Sequence, residues 1–253
     1  MRKKISQSKG LWQIFFFLSI CCLLCAIGPV FASDSVIKAR FVYDIYWSGI
    51  KAGEAALSYE NTTEGITITS RAQSAPFISV FYKVDDISQS ILAPDGHPSK
   101  YTVKIHEGSR KRNKVTYFSA KPESSAQKVI FTDKLNNERV EFNLERPAFD
   151  PLSAAYEISR RTLKVGQPEY IDIFDNKKIF NTEVQVLGKE RISTPAGEFD
   201  TILIKPLLKS EGIFIQKGEI YIWLTDDEKR IPVMLKSKVK IGSFTAEITG
   251  GAH

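Results

Sequence analysis

The chain has 253 residues, of which 35 are Lys or Arg and 29 are Asp or Glu, and its formal net charge is +6. The first 32 residues carry four basic residues and no acidic one, so subtracting them leaves 31 basic and 29 acidic residues, a net charge of +2. A nucleic-acid-binding domain carries a concentrated positive charge, so this nearly neutral balance predicts no nucleic-acid partner.

The N-terminal segment has the pattern of a secretory signal peptide. Basic residues near the start precede an apolar run from Leu11 to Phe31, and small residues lie close to Ala32. We predict cleavage after Ala32, with residues 1–32 as the signal peptide, residues 33–253 as a single β-rich domain and a periplasmic location. The apolar run is long enough to cross a bilayer, so an uncleaved inner-membrane anchor is the alternative.

The cysteines restrict the chemistry of the remaining chain. All three, Cys21, Cys22 and Cys25, lie within the apolar run. Residues 33–253 therefore have no disulfide, no thiol nucleophile and no cysteine-ligated metal. Such a domain must be held together by its hydrophobic core, and a chain of about 220 residues is long enough to build one.

Apolar and polar residues alternate with a period of two, and turn residues interrupt the pattern about every eight to twelve positions, as in an antiparallel sheet. Strand-like segments of the first half are 36–47, 54–60, 66–74, 84–92, 101–107, 114–120, 127–133 and 139–144. Those of the second half are 169–175, 178–187, 198–208, 217–225, 231–241 and 243–250. Between the last two segments the apolar parity shifts at Gly242, which indicates a bulge, a tight bend or a short turn.

Two segments depart from the alternation. Residues 150–163 predict a helix, because Asp150 is a favourable N-cap and Pro151 suits the first helical position. Residues 74–83, "SAPFISVFYK", form an apolar and aromatic run that neither alternates nor carries charge before Lys83. We favour a helical turn buried as a plug in a barrel mouth, since apolar side chains are usually buried, over a partly exposed lid.

These elements predict an all-β fold. A large antiparallel sheet with one short helix has to cover its edges and its second face, and curling into a closed or open β-barrel does both.

The basic stretch at residues 108–114, "GSRKRNK", falls between two strand patterns. We interpret it as a solvated loop, with contact to anionic lipid headgroups at a membrane surface as the alternative.

The chain offers little catalytic chemistry. Its histidines, His97, His106 and His253, are not at metal-ligand spacing, and no Gly-x-Ser-x-Gly sequence marks a nucleophile. We therefore predict no catalytic residue, no metal site, no cofactor and no enzymatic activity.

Two acidic groups need an explanation. The densest, Asp226 to Glu228, lies between two apolar strand patterns, and we interpret it as the solvated tip of a hairpin. Asp85 and Asp86 alternate in a strand, so at most one faces the interior, and we expect both to be solvated.

Three stretches resemble a known family. "GEIYIWLTDDEKRIPVMLKSKVKIGSFTAEI", "DPLSAAYEISRRTLKVGQ" and "FVYDIYWSGIKAGEAALSYE" are similar to the bacterial exported family catalogued as domain of unknown function 3108. The resemblance implies an envelope or periplasmic protein of mostly antiparallel β structure, with no established activity and no catalytic residues to transfer. The "IPV" hairpin is also similar to one in periplasmic lipoprotein-carrier proteins, which implies an open β-barrel with helices in its mouth.

The first functional hypothesis is a non-catalytic protein that binds an apolar ligand, a lipid or acyl chain, inside a β-barrel. We predict that Trp47, Phe77, Phe81 and Tyr82 face this ligand. The alternative is a structural or assembly factor that contacts an envelope protein partner along a sheet edge. Peripheral contact with the membrane is compatible with either role.

Overall fold

The computed structural model describes residues 36–63, 65–119, 126–207, 219–238 and 242–252, and this part of the chain forms one sheet and two short helices. The first eight strands are β1 (Val36–Trp47), β2 (Ile50–Thr62), β3 (Gly65–Ser74), β4 (Asp85–Leu92), β5 (Pro98–Glu107), β6 (Arg110–Phe118), β7 (Gln127–Asp133) and β8 (Glu138–Leu144). The other six are β9 (Glu169–Asp175), β10 (Lys178–Thr194), β11 (Gly197–Pro206), β12 (Ile220–Thr225), β13 (Pro232–Lys238) and β14 (Ser243–Ala252). The helices are α1 (Pro76–Ser79), between β3 and β4, and α2 (Pro151–Arg160), between β8 and β9.

The sheet consists of two antiparallel meanders joined side by side. Its strand order is β8-β7-β6-β5-β4-β3-β2-β1-β14-β13-β12-β11-β10-β9, so the first and last strands of the described chain pair at its centre. The edge strands β8 and β9 do not pair with each other, and the sheet is a curled, open barrel. The prediction of a large antiparallel barrel-like sheet is therefore confirmed, and of its two forms the open one is found.

The segment before α2 covers the free edge of β9. The amide of Phe149 donates to the carbonyl of Asp172 at 2.8 Å, and the amide of Phe174 donates to the carbonyl of Phe149 at 2.8 Å. Across the gap, the ring of Phe142 in β8 lies 5.2 Å from that of Phe174, centroid to centroid. The two edges are thus joined by side chains and one short parallel bridge rather than by a continuous ladder.

The start of α2 matches the sequence prediction. Asp150 caps the helix, and its carboxylate accepts hydrogen bonds from the amides of Leu152 at 2.9 Å and Ser153 at 3.1 Å. The hydroxyl of Ser153 accepts in return from the amide of Asp150 at 3.0 Å, which completes a capping box. Ser90 of β4 also donates to the Asp150 carboxylate, at 2.6 Å, and fixes the helix to the opposite half of the sheet.

The expectation of a buried plug at residues 74–83 is wrong. No residue of α1 is buried, and the large side chains of this segment are exposed: Phe77 by 56%, Val80 by 77%, Phe81 by 89% and Tyr82 by 52%. The cause is geometric. The amide of Ser74 donates to the carbonyl of Val84 at 3.0 Å, so the segment is a connection between neighbouring strands that projects beyond their ends.

The basic stretch at residues 108–114 is not a loop, contrary to the prediction. Only Gly108 and Ser109 form the turn, and β6 begins at Arg110. Gly108 has a φ of 58°, a backbone conformation that glycine adopts without steric cost and that allows so tight a turn. The basic side chains therefore extend from a strand with fixed positions.

Gly242 has a φ of 80° and lies in the short connection between β13 and β14. Of the alternatives predicted for the parity shift at this residue, the short turn is the one found.

Residues from Ser35 onward form one compact unit. It contains three clusters of buried apolar side chains, one of which combines Phe118 and Phe131 from the first meander with Phe174 from β9. Neither α1 nor α2 has the length that a helix needs to span a membrane, and the rest of the described chain contains no such helix. The predicted signal peptide at residues 1–32 lies outside the described residues.

We expect Phe174→Ala to lower the free energy of unfolding by about 3–5 kcal/mol, because Phe174 is almost fully buried and packs across the gap between the edge strands. Urea denaturation followed by circular dichroism measures the change. The control is Tyr170→Ala, an exposed aromatic residue of the same strand, which should change stability by less than about 1 kcal/mol. Equal effects of the two substitutions would contradict this role of Phe174.

We also expect stability to depend on the ionisation of Asp150, since burial raises the pKa of this carboxyl to about 6. The folded state then binds the proton more tightly than the unfolded state, so this contribution is present at low pH and is lost as pH rises through 6. Asp150→Asn retains a capping oxygen but cannot ionise. As pH rises from 4 to 7.5, the free energy of unfolding of the variant should therefore increase by about 3 kcal/mol relative to that of the parent. Urea denaturation at the two pH values measures this difference. Parallel pH profiles for the two proteins would contradict the assignment.

Candidate functional site

A cavity of about 380 Å³ lies between the concave face of the sheet and α2. Strands of both meanders contribute apolar side chains to its wall, among them Leu57, Ile68, Ile204, Ile222 and Met234. Ligand-binding pockets in proteins have volumes of roughly 300–1,000 Å³ and mainly apolar walls. The cavity has the size and the lining of a site for a small apolar molecule or for part of a longer one.

Helix α2 forms one wall of the cavity without filling it. Ala154 and Ile158 are buried against the second meander, whereas Ala155 and Tyr156 also border the open space. Ala155 is exposed, whereas Tyr156 is half-buried. The ring of Tyr156 lies 5.6 Å from that of Tyr59 in β2, which connects the helix to the opposite side of the wall.

Few polar groups face the cavity. Asp86 carries the one carboxyl group among the described lining residues, and it accepts a hydrogen bond from the amide of His106 at 2.9 Å. Burial raises the pKa of Asp86 to about 6, although the hydrogen bond from His106 acts in the opposite direction. Tyr43 donates to the carbonyl of Pro232 at 2.9 Å, and burial raises the pKa of its phenol well above the ordinary value. The wall is thus mainly apolar, and its one carboxyl group among the described lining residues has a pKa raised to about 6 by burial.

The expectation that Asp85 and Asp86 are both solvated is wrong for Asp86. As predicted, the pair divides between the two faces of the strand: Asp85 forms an ion pair with Arg71 at 3.5 Å, and Asp86 faces the cavity. The alternation of β4 contains the signal that identifies this residue. Ser88 and Ser90 have the same parity as Asp86 and are buried, which places that parity on the inner face.

The four predicted ligand-facing residues lie away from the cavity wall. Phe77, Phe81 and Tyr82 lie together in the connection between β3 and β4, and all three are exposed. Trp47 lies at the end of β1, where its ring stacks on that of Phe244 at a centroid distance of 6.3 Å. None of the four is among the lining residues, and their contact with a ligand stays a prediction.

The two described histidines lie at opposite ends of β5. His97 precedes the strand and stacks on Phe149, with 5.4 Å between the ring centroids, whereas His106 is near its last residue. His253 is outside the described residues. Within the described ranges, no group of three or more His, Cys, Asp and Glu residues is arranged to hold a metal ion.

The acidic group at Asp226 to Glu228 forms the tip of the hairpin between β12 and β13, as predicted. The carboxylate of Asp227 accepts hydrogen bonds from the amides of Lys229 at 3.0 Å and Arg230 at 3.1 Å, which closes the turn. Asp226 forms ion pairs with Lys189 at 2.5 Å and Arg230 at 3.1 Å. Hydrogen bonds from Lys189 and Arg230 hold the pKa of Asp226 below its ordinary value. The group stabilises a turn, and the charge of Asp226 is neutralised by Lys189 and Arg230.

Comparisons with known proteins address the family and the fold. A model of the family described as "Protein of unknown function (DUF3108)" matches residues 42–249. The structure is similar to that of a β-barrel-like protein of the domain of unknown function DUF1849 from Brucella abortus, with a TM-score of 0.57, 11% sequence identity, and coverage of 86% of this chain and 98% of that one. At this identity the likeness concerns the fold alone.

A second structure gives a weaker match. It is a protein from Bacteroides fragilis to which export and a YmcC-like fold are attributed, with a TM-score of 0.35, 10% identity, and coverage of 87% of this chain and 97% of that one. A comparison with curated proteins finds no match.

Proposed function

The chain belongs to the DUF3108 family of proteins of unknown function, and we propose that it binds a lipid, an acyl chain or a similar apolar ligand inside its open barrel. The observation that carries this proposal is the cavity of about 380 Å³ between the sheet and α2. Its apolar wall suits a ligand without strong hydrogen-bonding groups. Burying one methylene group contributes about 0.8 kcal/mol, so a chain segment of a few methylenes supplies a useful binding energy.

The proposed role is non-catalytic. Acid–base catalysis needs at least two groups in reach of one substrate atom, or one group and an activated water. Asp86 is the single carboxyl group among the described lining residues, and neither His97 nor His106 borders the cavity. Binding is the simpler use of such a wall.

The alternative of an envelope assembly factor requires a sheet edge open to a partner. Here Phe149 pairs with the edge of β9, and an ion pair of 3.0 Å between Lys177 and Glu138 spans the gap between β9 and β8. The backbone contacts occupy part of the β9 edge, and the ion pair lies across the gap, so a partner strand at β9 would have to displace the segment before α2. They favour the ligand-binding proposal over addition of a strand.

We place this function in the periplasm, because the N-terminal sequence has the basic, apolar and small-residue regions of an export signal. An apolar molecule in that compartment is surrounded by water and needs a shielded path between membranes. A barrel with an apolar interior provides such shielding.

The first test is ligand uptake by a variant with a smaller cavity. Ala55→Phe places a ring into the space in front of β2, and we expect the affinity for a fluorescent acyl-chain alcohol to fall at least about tenfold through overlap with the ligand. Fluorescence titration measures this affinity. The matched control is Ala126→Phe, the same substitution at an exposed alanine outside the cavity, which should bind as the parent does. Equal affinity in both variants, or no uptake by the parent, would refute the proposal.

The second test concerns charge selectivity. The carboxyl group of Asp86 has a pKa raised to about 6 by burial, so it is ionised at pH 7.5 and largely protonated at pH 5. We expect the affinity for an acyl-chain sulfonate, which is anionic at both pH values, to rise severalfold as pH falls between them.

The variant Asp86→Asn should bind the sulfonate equally well at both pH values. The uncharged alcohol serves as the control ligand and should show little pH dependence in either protein. A pH dependence that persists in Asp86→Asn would assign it to another group, such as the neighbouring Glu107.

A further inference from the structure

Exposed apolar side chains concentrate at one end of the barrel. The end of β1, the turn into β2 and the connection between β3 and β4 together carry six of them: Trp47, Ile50, Phe77, Val80, Phe81 and Tyr82. We call this set the apolar rim. The β1–β2 turn and the β3–β4 connection lie at the same end, because Gly53 pairs with Ser74. Contiguous exposed apolar surface on a soluble domain marks a site of interaction with another surface.

The rim is held in place by backbone contacts. The amide of Ala75 donates to the carbonyl of Ala52 at 2.8 Å, which ties the β3–β4 connection to β2. The amide of Gly108 donates to the carbonyl of Lys83 at 2.8 Å, which ties the same connection to the β5–β6 turn. Gly108 also packs against the ring of Tyr82, so closely that a Cβ there would lie 2.7 Å from a ring carbon. The exposed aromatic side chains therefore project from a fixed base.

Positive charge lies beside the rim. Lys83, Lys104 and Lys111 are exposed, and none of them has a carboxylate of the described residues within 4.0 Å. Of the nearby acidic residues, Glu107 pairs with Arg110 at 3.2 Å, Asp44 with Lys51 at 2.8 Å and Asp85 with Arg71 at 3.5 Å, whereas Asp86 faces the cavity and accepts a hydrogen bond from a backbone amide. The excess charge of this end is thus positive and available to an anionic partner. The turn at Gly108 and Ser109 brings the basic strand β6 next to the aromatic residues.

We propose that this end of the barrel docks on an anionic lipid bilayer, with the apolar rim inserted among the headgroups and Lys83, Lys104 and Lys111 against their charges. Aromatic side chains such as Trp and Tyr favour the interface between headgroups and acyl chains, and each lysine near an anionic surface strengthens binding about fivefold. Both features occur here on one fixed surface.

A second copy of the chain fits this surface less well. A two-fold symmetric dimer places the same patch of both subunits in contact, so the lysines of each copy would face those of the other. An anionic bilayer neutralises them instead. The bilayer also explains the mixture of aromatic and basic residues, which an apolar groove of a protein partner would not require.

The docking surface and the cavity share strands. Ala72 of β3 and Asp86 of β4 both line the cavity, and the connection between these two strands carries most of the rim. The rim therefore lies at the end of strands that form the cavity wall. Docking would bring the cavity next to the membrane. The inference does not depend on what the cavity binds: Ala55→Phe should lose uptake of the acyl-chain alcohol and still bind vesicles, so the two proposals fail separately.

The test is flotation with vesicles of phosphatidylcholine containing about a third phosphatidylglycerol, compared with vesicles of phosphatidylcholine alone. The chain from Ser33 onward is used, because it contains the whole compact unit with its three buried clusters and lacks the apolar N-terminal run. Of its two tryptophans, Trp223 is buried and Trp47 is exposed, so quenching by brominated acyl chains reports insertion of the rim.

We expect binding to the anionic vesicles and quenching of Trp47. Phe77→Ser with Phe81→Ser should weaken binding at least about tenfold, and the unfolding transition should be unchanged because both side chains are exposed. The control pair is Val165→Ser with Leu187→Ser, two exposed apolar residues elsewhere, which should bind as the parent does.

The charge variant Lys83→Glu with Lys111→Glu should weaken binding at least about 25-fold, from about fivefold for each lysine. Its control, Lys164→Glu with Lys229→Glu, alters two exposed lysines away from the rim and should have a much smaller effect. The proposal is overturned if the parent does not bind, if it binds uncharged vesicles equally, or if rim and control variants behave alike. Self-association that Phe77→Ser with Phe81→Ser abolishes, without vesicle binding, would assign the rim to a second copy and also overturn it.

Discussion

The junction at Phe149 and Asp150 holds the two halves of the sheet in their relative positions. Phe149 pairs through its backbone with β9 of the second meander, and the next residue, Asp150, accepts a hydrogen bond from Ser90 in β4 of the first. Two consecutive residues thus contact strands that are far apart in the sheet order. The carboxylate of Asp150 is fully buried, so each of its hydrogen bonds has to be made, and a displacement of α2 would leave it without compensation.

The cavity follows from this arrangement. Fourteen strands curl into a barrel too wide for the inner side chains of the sheet to fill, and α2 enters the interior as an additional wall. The capping box fixes the start of the helix, and burial of Ala154 and Ile158 fixes which side of it meets the second meander. The side with Ala155 and Tyr156 is left facing the opposite strands at a distance. The open space is a consequence of how the helix is anchored.

Much of this fold can be predicted from the sequence. β1 has the predicted bounds because its alternation is uninterrupted, and α2 starts where Asp150 and Pro151 indicate. β10 is longer than the predicted segment 178–187, since a register shift between Val186 and Gly188 breaks the alternation while the pairing with β11 continues to Thr194. Local patterns define strands well, but they do not show where a bulge lets a strand continue.

The site could be predicted only in part, because it depends on contacts between distant segments. Nothing in "PFISVFY" distinguishes a buried plug from an exposed rim; the difference arises because β3 and β4 pair up to the ends of the connection. The inner position of Asp86, by contrast, follows from its parity with Ser88 and Ser90 once the inner face is known. The volume of the cavity depends on the curvature of the whole sheet, which no local pattern contains.

The two ends of the barrel differ in a way that bears on how a ligand would enter. At the end with the β12–β13 hairpin, Asp226 is neutralised by Lys189 and Arg230, and the turn is closed by its own hydrogen bonds. At the other end, exposed aromatic residues lie beside lysines without carboxylate partners among the described residues. Water disfavours the exposed aromatic side chains, whereas an anionic membrane interface stabilises both these side chains and the lysines beside them. The proposed docking would therefore place the rim end of the barrel, and not the hairpin end, against a membrane.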